Sequence, residues 1–584
     1  MIPFRRLIPA ARPADLESWT NRLVLLALFC VAALVMSQNQ SDPDLWGHLQ
    51  YGLDAMRFGL PEQATYQYTA PDHDWVNHEW AWERLLAWGW KAFGGRGLLM
   101  IKFGLGLALL VAIYRRNRSA GIDWFPAAAL MLAVGVNLML AWKLRPQLFS
   151  FCLLAVTLWL LDRAFGRSPS GPAERERPIR FRYLAALPPL IAAWTNLHGA
   201  FAAGVAVIGL YLSGRAIERF CRQGRTAMGD VMRIVAVMAA TLAATLVSPY
   251  TWRLHVWLWH SLSVPRPEIL EWRPPELWNP AFTPFWIFTL GTVVAAWTAR
   301  RRIDVIETIV LAALLWQATR YHRHIPLFVI AAAWWMPYVW HDVLKRMGKT
   351  NETATSASPR RTVTWVVASL ALAASLIIGQ QVIARSRFIV VRSWDYPVDA
   401  FQFIEDHQLK GRMVVQFMWA QYALAAFGNH DDPRGRGGMT VAFDGRFRTC
   451  YPQQVVDMYF DFASGMGEDI PRYRSPQSPP YDPARILEAG HPDLVLMNVQ
   501  RAHAHRVIAA RRDEWVLLYR DGLAELWGRR SRYDDPRKPT YLPADQRVVR
   551  DDAPRRVVPF PAFPSSTSRA ARRPVGTLYA EAES

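Results

Sequence analysis

Two carboxylates and an imidazole stand together in Gln40-Ser41-Asp42-Pro43-Asp44-Leu45-Trp46-Gly47-His48-Leu49, directly after an apolar run from about Leu23 to Met36. If that run crosses a membrane, these groups sit where the helix leaves the lipid. Ionisable side chains next to hydrocarbon are costly, so a cluster at that depth points to function. A carboxylate there suits proton abstraction from a hydroxyl. A helix from Pro43 onward puts Asp44 and His48 on one face, four residues apart. Asp42 has a second reading as the N-cap of that helix, with Pro43 in its first turn. Capping explains less of Asp44 and His48, which makes those two the stronger candidates.

Other polar groups fall on the same side of the apolar runs: His73, Asp74, His78 and Glu79, then Arg145, Asn196 with His198, Glu271 with Arg273, and Arg320, His322 and Arg323. Arg145, Arg320 and Arg323 lie at span ends, where a guanidinium can clamp a phosphate by forked hydrogen bonds. Snorkelling to the interface is the alternative for each alone, and Arg320 with Arg323 together favour phosphate. Asn196 and His198 suit either a substrate head group or a hydrogen bond between helices. Carboxylates beside histidines can hold a divalent ion such as Mg or Mn, although His78-Glu79 matches no zinc spacing. No GxGxxG or P-loop occurs, and Gly435-Arg436-Gly437-Gly438 reads as a loop.

These residues need a membrane scaffold to position them. The chain has 584 residues, 52% of them apolar, with 27 Trp. Apolar blocks alternate with arginine-rich ones, as in a multi-span membrane protein. The formal charge of +19 sits largely in short loops between apolar runs, where it sets orientation and does not argue for nucleic acid. Cys30, Cys152, Cys221 and Cys450 are scattered, which speaks against a disulfide framework or thiolate metal site. No small-residue cleavage site follows the first run, so it reads as a retained span. The pattern predicts a polytopic α-helical membrane protein over 1–392 with about eleven spans, N-terminus in and C-terminus out. The loop 37–96, rich in aromatics, is expected to form short helices at headgroup level. From 393 to 528, β-rich runs at Met413–Phe417, Thr440–Phe443, Asp493–Met497 and Trp515–Tyr519 alternate with helical patterns, which predicts a small extracytoplasmic α/β domain. The Pro- and Arg-rich stretch 529–584 reads as disordered.

Four groups of residues carry a resemblance. They are Asp42-Pro43-Asp44-Leu45-Trp46-Gly47-His48-Leu49 with Trp75-Val76-Asn77-His78-Glu79-Trp80; Trp194-Thr195-Asn196-Leu197-His198-Gly199; Arg320-Tyr321-His322-Arg323-His324-Ile325-Pro326; and Phe417-Met418-Trp419-Ala420-Gln421-Tyr422 with Phe443-Asp444-Gly445-Arg446. In order and topology the chain resembles the GT-C class of membrane glycosyltransferases, and within it a bacterial group. The resemblance implies transfer of a sugar from a polyprenyl-phosphate donor to an extracytoplasmic glycan, lipid or protein acceptor, by an enzyme of the inner (plasma) membrane. It implies an acidic base or metal ligand at Asp42 or Asp44, with His48, His78 and Glu79 as helpers. Arg145, Asn196, His198, Arg320 and Arg323 would bind substrate or phosphate, and Asp444 and Arg446 would line the acceptor side. Asp444 and Arg446 also suit a plain turn closed by an ion pair. Gly47 departs from the pattern, where a second aromatic residue is expected. A flippase for lipid-linked glycans and a non-catalytic scaffold are the rival readings. The first would require ionisable residues at mid-depth, and the spans are mostly clean.

Overall fold

A computed structural model describes residues 13–167, 178–299, 303–351 and 361–565. Each apolar run predicted to span is helical. In chain order the elements are α1 (Pro13–Met36), α2 (Leu45–Phe58), α3 (Trp80–Ser119), α4 (Trp124–Leu138), α5 (Gln147–Ala164), α6 (Phe181–Leu184), α7 (Leu187–Leu197), α8 (Phe201–Gln223), α9 (Met228–Ala244), α10 (Thr251–Ser263), α11 (Thr283–Thr298), α12 (Val305–Arg320), α13 (Ile325–Trp335), α14 (Pro337–Asn351) and α15 (Arg361–Arg385). Among the described residues, seven helical stretches are long and apolar enough to cross a membrane. The pair α13 and α14, bent by 66°, makes an eighth if counted as one span. By the same test α7 and α12, at 11 and 16 residues, are too short, and α8 and α9 run together as one stretch.

The α/β part follows as β1 (Val390–Arg392), α16 (Val398–Asp406), β2 (Arg412–Val415), α17 (Phe417–Phe427), β3 (Thr440–Val441), α18 (Gln453–Ser464), α19 (Arg485–Glu488), β4 (Leu494–Asn498), α20 (Ala502–Ala509), β5 (Trp515–Arg520), β6 (Ala524–Arg529), β7 (Val548–Val549) and β8 (Val557–Pro559). The main sheet has the order β3-β2-β4-β6-β5-β7. Its β3-β2-β4 half is parallel, and β4-β6-β5 is antiparallel. All four strand predictions land on strands. The stretch expected to be disordered is folded as far as Ser565: β7 extends the edge of the main sheet, and β8 pairs antiparallel with β1. A few valines suffice there because they add to strands already in place. Residues 566–584 lie outside the described residues.

Two hydrophobic cores divide the molecule. One lies among the long helices and includes Leu110, Val134, Leu158, Trp194, Ile208 and Val329. The other joins Trp46 and Leu49 of α2 and Trp82, Leu86 and Trp90 of α3 to Phe401, Val414 and Tyr422 of the α/β part. α3 turns between the two cores at Gly94, whose φ of 61° suits glycine. Of the aromatics in 37–96 expected at headgroup level, Trp46, Tyr51, Tyr66, Trp75, Trp82 and Trp90 are buried in protein, and Trp88 and Phe93 stay exposed. Trp46 stacks on Tyr422 at 4.6 Å, and its indole N–H donates to the Pro561 carbonyl at 2.8 Å. An aromatic-rich amphipathic segment suits an apolar protein surface as well as a bilayer, and here the α/β sheet supplies that surface.

At the end of the bundle away from the α/β part lies a buried ionic network. The Arg167 guanidinium donates to both Glu307 oxygens. Arg215 pairs with Asp304 at 2.7 Å and Arg116 with Asp162 at 2.5 Å, while Trp334 and Trp335 donate their indole N–H groups to Asp162. Glu218 also pairs with Arg215, at 2.9 Å, so guanidiniums and carboxylates offset one another and clamp the helix ends.

Candidate active site

Asp42 is placed by a short strand-like contact. Ser41 donates its N–H to the Val390 carbonyl at 2.8 Å, and Val390 returns a bond to Asn39 at 2.7 Å. The chain then turns into α2, with the Asp44 N–H donating to Asp42 Oδ1 at 3.2 Å. Asp42 therefore closes a turn ahead of the helix and is not its N-cap, a position that Asp44 holds because α2 starts at Leu45; its carboxylate also meets two cations. Arg145 Nε lies 2.5 Å from Oδ1 and Lys143 Nζ 3.2 Å from Oδ2. Arg145 also reaches Asp44 Oδ2 at 2.6 Å and Glu271 Oε1 at 2.9 Å. Burial by itself would raise the Asp42 carboxyl, but Arg145 and Lys143 outweigh it and hold it below the usual range. Asp44 moves the other way: burial, helped by the charges of Asp42 and Glu271, raises it in spite of Arg145.

His48 lies one turn on, its N–H donating to the Asp44 carbonyl, and faces a second acidic set. Its Nδ1 is 3.0 Å from Glu83 Oε1, and its Nε2 is 3.9 Å from Glu79 Oε2. Burial opposes the imidazolium, yet the Glu83 hydrogen bond and the Glu79 charge push its pKa up to about 9. Glu79 also lies 3.5 Å from His78 Nε2 and 3.7 Å from His198 Nε2. Against the effect of burial, its contact with His78 and the charges of His48 and Arg323 hold the Glu79 carboxyl below its usual range. Burial keeps His78 and His198 neutral, His198 down to about 3.

A cavity of about 630 Å³ opens beside this cluster. Its walls are apolar and come from α4, α8, α10, α11 and α12, for example Val136, Val207, Leu258, Phe285 and Leu314. Its polar end gathers His78, Glu79, His198, Arg266, Glu271 and Arg323. The guanidiniums of Arg266 and Arg323 both lie against the Trp272 ring, at 4.8 and 4.7 Å. His198 is fixed by Ser150 Oγ at 2.7 Å, which in turn accepts from the Trp194 indole at 2.8 Å.

The sequence-predicted residues thus fall into groups. Asp42, Asp44, His48, His78, Glu79, Arg145, His198 and Arg323 come together around the polar end, although only His78, Glu79, His198 and Arg323 line the cavity itself. Arg320 does not join them. It is the last residue of α12 and exposed, and the extended Tyr321 that follows turns the chain so that Arg323 faces inward. Arg266 stands where Arg320 was expected. Asn196 spends its side chain on the Trp80 indole and on the carbonyls of Ala192 and Val247. Asp444 and Arg446 form a closed joint away from the cavity. Arg446 Nη2 donates to Asp444 at 2.7 Å and to the Thr65 carbonyl at 2.6 Å, and the guanidinium lies against Tyr51 and Trp75. Gly47 is explained by Gln421: a Cβ at 47 would stand 2.3 Å from Gln421 Oε1, so the space of a second aromatic is already taken. Sequence reading missed Glu83 and Arg266, which stand in no motif.

The fit to a divalent ion fails on the donors present. Asp42 and Asp44 both spend oxygens on Arg145, a cation already between them. Among the described residues no group of three or more His, Cys, Asp or Glu side chains is arranged to hold a metal.

In structure the chain is similar to the archaeal oligosaccharyltransferase AglB from Archaeoglobus fulgidus in complex with an inhibitory peptide and a dolichol-phosphate, at 11% identity and a TM-score of 0.47 over 85% of this chain and 73% of that one. It is also similar to the apo form of the Archaeoglobus fulgidus oligosaccharyltransferase, at 10% identity and a TM-score of 0.48 over 82% and 70% of the two chains. A third neighbour is ArnT from Cupriavidus metallidurans bound to undecaprenyl phosphate, at 13% identity and a TM-score of 0.45 over 90% and 99%. These neighbours are GT-C proteins, and at such identities and TM-scores below 0.5 nothing about this chain is argued from them. No protein-family model and no curated protein sequence matches the chain.

Proposed function

We propose that this protein is a membrane glycosyltransferase that moves a sugar from a polyprenyl-phosphate donor to an extracytoplasmic acceptor, in the inner membrane of a bacterium. The observation that carries the reading is the cavity: an apolar slot among the helices that ends in two guanidiniums and lies beside a carboxylate cluster. A prenyl chain suits the slot, and a phosphate suits Arg266 and Arg323, whose charge would stabilise the leaving phosphate as it develops. Asp44 is the base we favour. It is the more exposed of the two aspartates, its side chain 26% accessible against 1% for Asp42. Burial keeps its carboxyl basic for an aspartate. Glu79 and His78 would orient the donor from the cavity wall.

The membrane arrangement that goes with this reading has eleven crossings. They follow if α7 and α12 cross as well, α8 and α9 count separately, and the bent pair is one span. The basic loops then face the cytoplasm, and the α/β part, the carboxylates and the wide end of the site face outward.

The test is transfer of labelled sugar from a polyprenyl-phosphate donor by purified protein in liposomes. Asp44→Asn should lower kcat by at least about a hundredfold, since general bases contribute on that order. Arg323→Gln should weaken donor use. Full transfer by both Asp42→Asn and Asp44→Asn would remove the mechanism, and unchanged transfer with lost glycan export would favour a flippase.

A further inference from the structure

Arg145 uses all three of its guanidinium nitrogens on three different carboxylates. Nε meets Asp42 at 2.5 Å, Nη2 meets Asp44 at 2.6 Å and Nη1 meets Glu271 at 2.9 Å. These partners come from two separate stretches, one before α2 and one between α10 and α11, while Arg145 lies between α4 and α5. The site brings them together across 101, 103 and 126 residues of sequence. Three carboxylates turned toward one cation supply the oxygen type that a hard dication takes, but as they stand they surround a guanidinium and are not spaced for an ion. Lys143 supplies a second charge on the outer side of Asp42, at 3.2 Å. A guanidinium stays protonated across the physiological range, and its planar fork fixes each carboxylate in direction as well as distance.

We propose that Arg145 is the resident cation of this site, standing between Asp42, Asp44 and Glu271 where a divalent ion would otherwise bind, so that the carboxylates are aligned and neutralised without added metal. Arg145 is then a positioning residue that acts through Asp44. A chain-borne cation differs from a metal in two ways: a chelator cannot remove it, and it cannot exchange. Removing its charge should leave a carboxylate-lined vacancy that an ion from solution can enter. The inference rests on the three contacts and not on the transfer reading, and ion binding can be measured with no sugar donor present.

The test is a Mn²⁺ titration of the purified full chain, followed by the electron paramagnetic resonance signal of free Mn²⁺. Wild-type protein should leave the free signal intact. Arg145→Gln should bind one Mn²⁺ per chain, at least tenfold more tightly than wild type, and the double variant R145Q/D42N should lose it. Arg145→Lys, which keeps the charge, should bind none. Uptake of one Mn²⁺ by wild type that D44N abolishes would overturn the proposal, as would a folded R145Q that binds no ion. Should R145Q fail to fold, the wild-type and D44N titrations decide: no uptake by either supports the resident cation, and uptake lost in D44N refutes it. Sugar transfer that survives EDTA in wild type is a separate readout, whose failure bears on the enzyme reading alone.

Discussion

The buried His48 imidazolium makes the packing of α2 on α3 depend on alkaline pH. His48 is pushed up to about 9 from an ordinary 6.5, with its side chain only 12% exposed. A folded-state pKa above the unfolded one means that the contribution is complete below pH 6.5 and is lost as pH rises through about 9. Moving from 6.5 to about 9 corresponds to roughly 3 kcal/mol. The loss would fall on the contact of α2 with α3, because Glu83 sits on α3 and shares its second oxygen with the Asn77 amide at 2.6 Å. Other groups also titrate at high pH, so the quantity to follow is the difference in unfolding free energy between wild type and His48→Gln. Measured in detergent by circular dichroism and tryptophan emission, that difference should shrink by roughly 3 kcal/mol between pH 6.5 and 10. A difference that stays constant over this range would show that His48 is neutral in the folded protein, and the assignment of Glu79 and Glu83 as its counter-charges would fall with it.

Three further outcomes follow from close contacts. Gly47→Trp should lower the melting temperature because its ring meets Gln421, and G47W/Q421G should recover most of the loss; a normally stable G47W would refute the exchange of aromatic for glutamine. Arg446→Ala leaves the fully buried Asp444 carboxylate unpaired and should cost about 3–5 kcal/mol in thermal or denaturant unfolding, with Arg446→Lys intermediate because it lacks the fork and the flat face against Tyr51 and Trp75. Gly445→Ala would bring a Cβ to 2.7 Å from Asp44 Oδ1. It should therefore cut kcat about tenfold or more by displacing the base, while donor binding, measured by quenching of tryptophan emission, holds.

The parts of this molecule that were legible in the sequence are those set by local pattern. Period and length gave the helices, alternation gave the strands, and the position of Asp42 and Asp44 just past the first apolar run marked the site. Pairings across long stretches were not legible. Arg145 could be seen as a cation at a span end, but its three carboxylate partners lie more than a hundred residues away, and no spacing rule links them. Arg320 and Arg323 look alike in sequence, and only the end of α12 separates the exposed one from the one in the cavity. The aromatics of the 37–96 loop show a further limit. Composition says that such residues need an apolar surface, but it does not choose between lipid and protein. The choice fell to the α/β part, whose core includes Trp46, Trp82 and Trp90.

That choice has a mechanical consequence for the proposed chemistry. Because α2 packs in a core shared by α3 and the α/β part, Asp44 is held against both. Arg145 and Glu271 belong to loops of the helical bundle, as do Arg266 and Arg323 at the head of the cavity. The contact of Arg145 with Asp44 ties the loops of the helical bundle to the start of α2; in the proposed reaction it would join the phosphate-binding charges to the base. A reaction in which one set of groups holds the lipid phosphate and another deprotonates the acceptor needs the two held in register. A guanidinium forked between them does so through directional hydrogen bonds, which a lone electrostatic attraction would not supply.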